Sequence, residues 1–420
     1  MPEIQLGYGN SVLTLEYDPE RFEVLRGPST VQPLTDAEIG ERLDNPIFGS
    51  GLADAVKPGG SVLIVVPDAT RRAGCPQIVN LLVRRLIESG TSPGNINIIF
   101  ATGIHRPVTR AEKSEILTPF IAQRIKSLDH NPGDLAGIIR LGETSGGIPV
   151  ELNRALVEHD HVILVGGISF HYFAGFTGGR KLVCPGLASK RTVAATHKLA
   201  FDCEKLDRRE RVGPGLLEGN AVHEAFVEAA KNVNLSLAVN TIVNEKGEAA
   251  EVFGGDWIES HKAACNRFSE LHTSHIKEKR DVVIVSCGGY PHDINMIQAH
   301  KALQTAASAC KRGGTIILLA ECREGPGRAD FLDWFDAENS NAMAARLCEN
   351  YKVNGQTAWS LLRLAEDYRI LILTALNGET TSAMRLRKVD TLNTALDEIP
   401  IKARGFILPA APRIAVACGD

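Results

Sequence analysis

Three largely apolar runs, residues 61–66, 96–101 and 161–165, each end in a loop that carries Asp, Arg, His or Lys. Runs of this length, rich in Val and Ile and without polar alternation, read as strands covered on both faces, as in the parallel sheet of an α/β protein. In such a sheet, ligands bind outside the carboxyl ends of the strands. The three loops are therefore the first place to look for chemistry. The first is Pro67-Asp68-Ala69-Thr70-Arg71-Arg72, and the second is Thr102-Gly103-Ile104-His105-Arg106-Pro107. The third begins at Phe170-His171-Tyr172-Phe173-Ala174 and continues through Gly175-Phe176-Thr177-Gly178-Gly179-Arg180-Lys181 and Cys184-Pro185-Gly186 to His197, on a predicted helix.

The remaining pattern supports the same class. A helix is predicted from about 77 to 89, and Thr109 with Glu112 forms a capping-box signal for another. Turn residues Gly7-Tyr8-Gly9-Asn10 and Asn244-Glu245-Lys246-Gly247 each separate short apolar runs, which predicts two hairpins. The polar, helix-like stretch 260–279 is expected to be the passage between domains. A second strand-helix series follows at 281–286, 295–310, 315–320 and 368–374. The apolar tail at 406–408 and 413–417 is expected to return to the first domain. The expected architecture is two α/β domains with a ligand cleft between them, the first doubly wound. Residues 1–270 plus 404–420 would form the N-terminal cofactor-binding domain, and 276–400 the C-terminal one.

A chain of 420 residues that is 44% apolar can bury substantial cores. Its formal charge of -4 leaves no basic surplus, which argues against nucleic acid as a partner. No apolar run is long enough to span a membrane, and the polar start lacks a signal-peptide pattern. Nine scattered cysteines with no CxxC pair fit a reduced, cytoplasmic protein.

Each site feature has a plainer counterpart. Arg71 could hold a carboxylate or phosphate in its fork with Asp68 orienting it, or the two could make a surface ion pair and cap. His105 and His171, each just past a strand end, could work as a general acid and base, or be structural. The Gly175–181 loop could cradle a phosphate or simply turn the chain; it is neither a Walker A sequence nor GxGxxG. Lys181 could be a charge clamp or a nucleophile. His197 has no HxxxH or HExxH partner, so a metal there would need donors from a cofactor. Gln298 and Lys301 share a helical face and could meet a carboxylate or water.

Taken together, these residues resemble the nickel-dependent lactate racemase family. The matching pieces are Asp68-Ala69-Thr70-Arg71, Ala101-Thr102-Gly103-Ile104-His105-Arg106, His171, Lys181-Leu182-Val183-Cys184-Pro185-Gly186, His197, and Gly288-Gly289-Tyr290-Pro291 leading to Gln298-Ala299-His300-Lys301. The resemblance implies a 2-hydroxy acid racemase or epimerase. Its cofactor would be a nickel pincer nucleotide, pyridinium-3,5-bisthiocarboxylic acid mononucleotide nickel, supplied by cofactor-biosynthesis proteins. Lys181 would join the cofactor covalently and His197 would be the one protein ligand to nickel, whose other donors are soft sulfur and carbon. His105 and His171 would be the acid/base pair, and Asp68, Arg71, Gln298 and Lys301 would hold the substrate. Thr70, Thr177, Gly178, Gly179 and Trp359 would line the cofactor. The implied reaction is proton-coupled hydride transfer through a 2-keto acid. Ile297 stands where the lactate enzyme has a tyrosine, so the resemblance reaches the reaction class and not the substrate. Two rival readings are a hydrolase- or phosphatase-like enzyme, against which there is no GxSxG elbow, and a non-catalytic nucleotide-binding protein.

Overall fold

A computed structural model describes residues 1–27 and 32–419. The chain forms two compact units, one of Thr30–Ala200 with Glu210–Glu270, the other of Met1–Ser29, Phe201–Arg209 and Leu271–Asp420. Both are mixed α/β, the expected class.

The first unit is built on a six-stranded sheet in the order Ala249–Gly255, Leu235–Val243, His161–Gly167, Val62–Pro67, Ile96–Ala101, Lys126–Asp129. All neighbours are parallel except Ala249–Gly255, which forms the expected hairpin with Leu235–Val243. The chain lays down Val62–Pro67 first, winds outward to one side, then restarts on the other with His161–Gly167. The order therefore reverses between these two strands, and that is where an open α/β sheet leaves a crevice. Every residue of Val62–Pro67 is buried, which explains its unbroken apolar run. Val62, Ile64 and Val66 pack with Ile78, Val79, Leu82 and Leu86 of the helix Cys75–Glu88. The Thr109–Glu112 capping box forms and starts the helix Arg110–Arg124.

The second unit has an all-parallel six-stranded sheet in the order Arg387–Val389, Arg369–Leu373, Cys310–Leu319, Arg280–Ser286, Gly405–Leu408, Phe22–Val24. Here the chain divides differently from the sequence expectation. Residues 404–420 do not rejoin the first domain: Gly405–Leu408 pairs with Arg280–Ser286, and Ala415–Cys418 pairs with Thr273–Ile276. The segment that changes units is the opposite terminus. The hairpin Glu3–Tyr8/Ser11–Glu16 buries Ile4, Leu6 and Leu15 with Ile284, Ile317 and Ile407, and Phe22–Val24 extends the sheet. A short run of alternating residues carries no record of which sheet it will cover, so pattern alone could not assign it.

Residues 201–209 also belong to the second unit. Phe201 meets Trp359 edge-on with centroids 4.8 Å apart, Arg208 donates to Gln304 Oε1 at 3.2 Å, and Cys203 is bonded to Cys348. This disulfide corrects the expectation of a fully reduced chain. Its partners are 145 residues apart in sequence, with Cα atoms at 5.8 Å in the folded unit. Such a separation lies beyond any spacing motif, so only the fold reveals the pair. The other seven cysteines are free. Among the described residues no helix is long and apolar enough to cross a membrane.

Candidate active site

In the first unit, the loops after the strands on either side of the switch point carry Asp68 and His171, and the next strand along carries His105. Asp68 directly follows Val62–Pro67 and is only 5% exposed. Its Oδ1 accepts from the Thr70 backbone N–H at 3.0 Å and from the Thr70 hydroxyl at 2.6 Å, while Oδ2 meets His105 Nδ1 at 2.7 Å. Burial pushes the Asp68 carboxyl up, but the His105 contact and charge, the Thr70 hydroxyl and Arg71 outweigh it, and the group lies below its ordinary value. Both Asp68 oxygens are thus committed, which suits an orienting carboxylate and not a hydrolytic nucleophile.

The His105 loop is anchored from below. Gly103, at φ 56, donates its N–H to Gly186 O at 2.8 Å, which ties the second loop to the third. His105 itself remains 44% exposed. Because Nδ1 faces a carboxylate, that nitrogen carries the proton and Nε2 is left as an acceptor. Arg71 lies one turn beyond Asp68, its N–H bonded to Asp68 O at 3.1 Å. Burial lowers its guanidinium, the Asp68 charge works against this, and among the described residues the guanidinium forms no hydrogen bond or ion pair.

The third loop folds as a short antiparallel bridge, Phe170–His171 against Gly175–Phe176, followed by the 3-10 turn Gly179–Leu182. His171 is buried, stacked on Tyr172 and edge-on to Phe173. Its Nδ1 accepts the Ala174 N–H at 3.2 Å. The ring proton therefore sits on Nε2. The two histidines are accordingly held in opposite tautomers. Lys181 follows in the 3-10 turn, its Nζ 5.6 Å from the Phe173 ring centroid and 5.4 Å from that of Phe226. At that range each ring face attracts the ammonium. His197, on the helix Lys190–Lys198, faces the same two rings at 4.9 and 5.7 Å. Burial pushes its imidazole down to about 3, with the charges of Lys181 and His105 adding to that and the Val193 carbonyl opposing. Its buried Nδ1 has no hydrogen-bond partner among the described residues. Lys181 and His197 are thus brought to one aromatic pair, and His197 is a neutral imidazole with a free nitrogen.

The Gly-rich loop turns its polar groups inward. The Thr177 hydroxyl donates to Gly167 O at 2.7 Å and accepts from Ser169 N–H at 2.8 Å, and the Gly179 N–H is taken by Asn240 Oδ1 at 3.0 Å. An anion nest needs free N–H groups, so this argues against the phosphate-cradle reading at Thr177 and Gly179. Gly178 adopts φ 75, and a Cβ there would lie 2.6 Å from the Ile168 side chain.

The other three candidates lie in the second unit. Gln298 and Lys301 sit on the first turns of the helix Met296–Ala309, where the Asn295 side chain caps Gln298 N–H at 3.0 Å and Lys301 Nζ donates to Gln298 Oε1. Ile297 packs against that unit's core. Trp359 is a buried core residue whose indole N–H finds no partner among the described residues. Sequence reasoning missed Phe226, which reads as ordinary helix core, and His261, set in a polar helix-like stretch.

The fold and site define a two-unit α/β enzyme with an Asp-His pair and a lysine-imidazole pair at a sheet switch point. Residues 8–207 match the lactate racemase N-terminal domain, residues 276–404 match the lactate racemase C-terminal domain, and the chain belongs to this family. It is 29% identical to the lactate racemase of Thermoanaerobacterium thermosaccharolyticum over 406 residues, 94% of each chain. It is 32% identical to that of Lactiplantibacillus plantarum over 335 residues, 79% of this chain and 77% of the relative. The lactate racemase apoprotein of T. thermosaccharolyticum superposes with a TM-score of 0.89 at 28% identity, covering 99% of this chain and 100% of that one. The chain is therefore an isomerase, of a family that works with a cofactor.

The Asp68–His105 pair makes a pH prediction. The folded pKa of the Asp68 carboxyl is depressed. Such a group stabilises fully above its unfolded value, about 4, and that stabilisation fades as pH falls through the folded value. Asp68→Asn is expected to lower the urea midpoint at about pH 6, with the gap from the parent chain narrowing below about pH 4. Urea titrations across that range check it; a gap constant with pH would exclude the ionic contribution.

Proposed function

We propose that this isomerase inverts the C2 centre of a small 2-hydroxy acid, using a nickel pincer nucleotide loaded by maturation proteins in the cytoplasm. The observation that carries the reading is the joint placement of Lys181 and His197 against Phe173 and Phe226, with His197 neutral and its Nδ1 unpartnered. A borderline metal with sulfur and carbon donors of its own asks the protein for one unprotonated imidazole, and burial supplies that at His197. Among the described residues no cluster of three or more His, Cys, Asp or Glu could hold a metal without such donors. Lys181, beside it, is the amine assigned to the covalent link.

When bound, the cofactor would supply hydride-transfer chemistry at C2. The chain manages the proton and the carboxylate. His105 takes the hydroxyl proton through Nε2, and Asp68, already bonded to Nδ1, stabilises the imidazolium that results. His171 carries its proton on Nε2 and gives it to the oxygen when the keto acid is reduced on its other face, with the roles exchanged for the other enantiomer. Arg71 offers an uncommitted fork to the substrate carboxylate. Gln298 and Lys301 are assigned to the substrate, and Thr70, Gly178 and Trp359 to the cofactor, on the motif match alone. The substrate is a 2-hydroxy acid that tolerates Ile297, lactate being the first to try.

The test is to supply nickel-loaded protein with single enantiomers of aliphatic, aromatic and acidic 2-hydroxy acids and follow chirality by chromatography. Inversion of at least one toward an equal mixture is expected. Loaded protein that leaves every enantiomer unchanged would end this reading.

A further inference from the structure

Arg180, next to Lys181, is the largest fully buried side chain among the described residues, at 1% exposure. Among those residues no carboxylate pairs with it. Its guanidinium instead gathers the loop: one terminal nitrogen donates to Ala174 O at 2.7 Å, the other to Phe176 O at 2.9 Å and, at the limit of a hydrogen bond, to Gly178 O at 3.5 Å. The second of these also lies 2.9 Å from His261 Nε2, on the helix Glu259–His272, a nitrogen that in its turn lies 3.0 Å from the carbonyl of Thr177 in the same loop. Burial lowers the guanidinium to about 10, yet leaves it charged at neutral pH. A buried cation without a counter-ion is a costly arrangement, and a role in packing alone would be better filled by an apolar side chain.

The carbonyls it binds belong to residues lying between His171 and Lys181, and the Ala174 whose carbonyl it holds also gives its N–H to His171. The same helix reaches the loop a second way, because Ser260 Oγ accepts from Asn240 Nδ2 at 3.2 Å, and Asn240 holds the Gly179 N–H. Neighbouring residues of one helix thus brace both sides of the turn that carries Lys181. Gly175, at φ 76, and Gly178, at φ 75, let the carbonyls converge on one point. Lysine could not replace the planar fork, since its point charge cannot reach divergent carbonyls in a fixed plane.

We propose that Arg180, anchored by His261, is a positioning residue that fixes Lys181 and His171 for reaction. Its catalytic meaning rests on the function proposed above; the positioning itself does not. The test uses Arg180→Lys and His261→Gln in the full chain. Lys181 is first labelled in cofactor-free protein with a small amine-reactive ester and read by peptide mass, with Lys190 and Lys198 as internal references. Released from its brace, Lys181 should label on the order of tenfold faster, as exposure follows local opening, while the references hold constant. In loaded enzyme acting on the 2-hydroxy acid that the parent chain inverts, kcat should fall about 10²-fold with KM nearly unchanged, the signature of displaced groups. If Arg180→Lys does not fold, His261→Gln must show the same change at Lys181, smaller in size. Unchanged Lys181 labelling in a folded variant, or labelling that rises equally at all three lysines, overturns the proposal. A loaded parent chain that racemises nothing would sink the function above and leave the labelling result standing.

Discussion

His197→Ala is expected to leave the protein unable to retain nickel through gel filtration. The ring is the single protein donor assigned to the metal, and even outer partners of metal ligands typically account for about 10- to 100-fold in affinity; loss of the ligand itself should exceed that. The variant should still fold, because Phe173 keeps its edge-on contacts with His171 and Tyr172 when the ring is removed. Lys181 stays in place, so an adduct of the organic part of the cofactor can persist without metal. Elemental analysis and intact mass of the matured variant separate the two. Full nickel occupancy would show that His197 is not the ligand.

The second large effect concerns the histidine pair. A positioned general acid or base contributes roughly 10²–10⁴-fold, and inversion uses one to take the proton and one to give it. His105→Ala and His171→Ala should each reduce turnover by that order in both directions, with cofactor retained, since neither is assigned to the metal. The variants should differ in a single turnover. Each should still oxidise the enantiomer whose base survives, leaving keto acid and an altered cofactor absorbance, and the preferred enantiomer should switch between them. Mixing each loaded variant with D- and L-substrate under stopped flow checks this. Near parental racemisation by both variants would remove the pair from the mechanism.

The opposite tautomers of the two rings are beyond the reach of sequence, because they depend on Asp68 and on a backbone N–H that only the fold supplies. What can be read is the position of the loops. Continuous apolar strands announce a parallel sheet, and a parallel sheet puts its chemistry at strand ends. That logic places Asp68, His105 and His171 without any motif. The motif match then singles out Lys181 and His197, whose shared aromatic pair is a tertiary fact. Phe226 looks like any apolar helix residue, and a buried arginine such as Arg180 is written in sequence like a solvated one. Gly179 shows a related limit: a glycine-rich loop shows that backbone can approach something closely, but not that its N–H meets Asn240. Domain membership fails at both termini, where short strands carry face alternation but no partner address.

Phe22–Val24 pairs with nothing in the described chain except Gly405–Leu408, with Leu25 N–H donating to Ile407 O at 2.9 Å and Gly405 N–H to Arg21 O at 2.9 Å. On the ribosome this sets an order of events. The strand must wait for a partner that lies far downstream, while the Thr30–Ala200 and Glu210–Glu270 unit can close around its own sheet in the meantime. A nascent chain stopped after residue 270 therefore carries an orphaned hairpin with Ile4, Leu6 and Leu15 uncovered, a sticky end for chaperones to mask. Moving that hairpin by circular permutation to follow the carboxyl terminus would remove the wait.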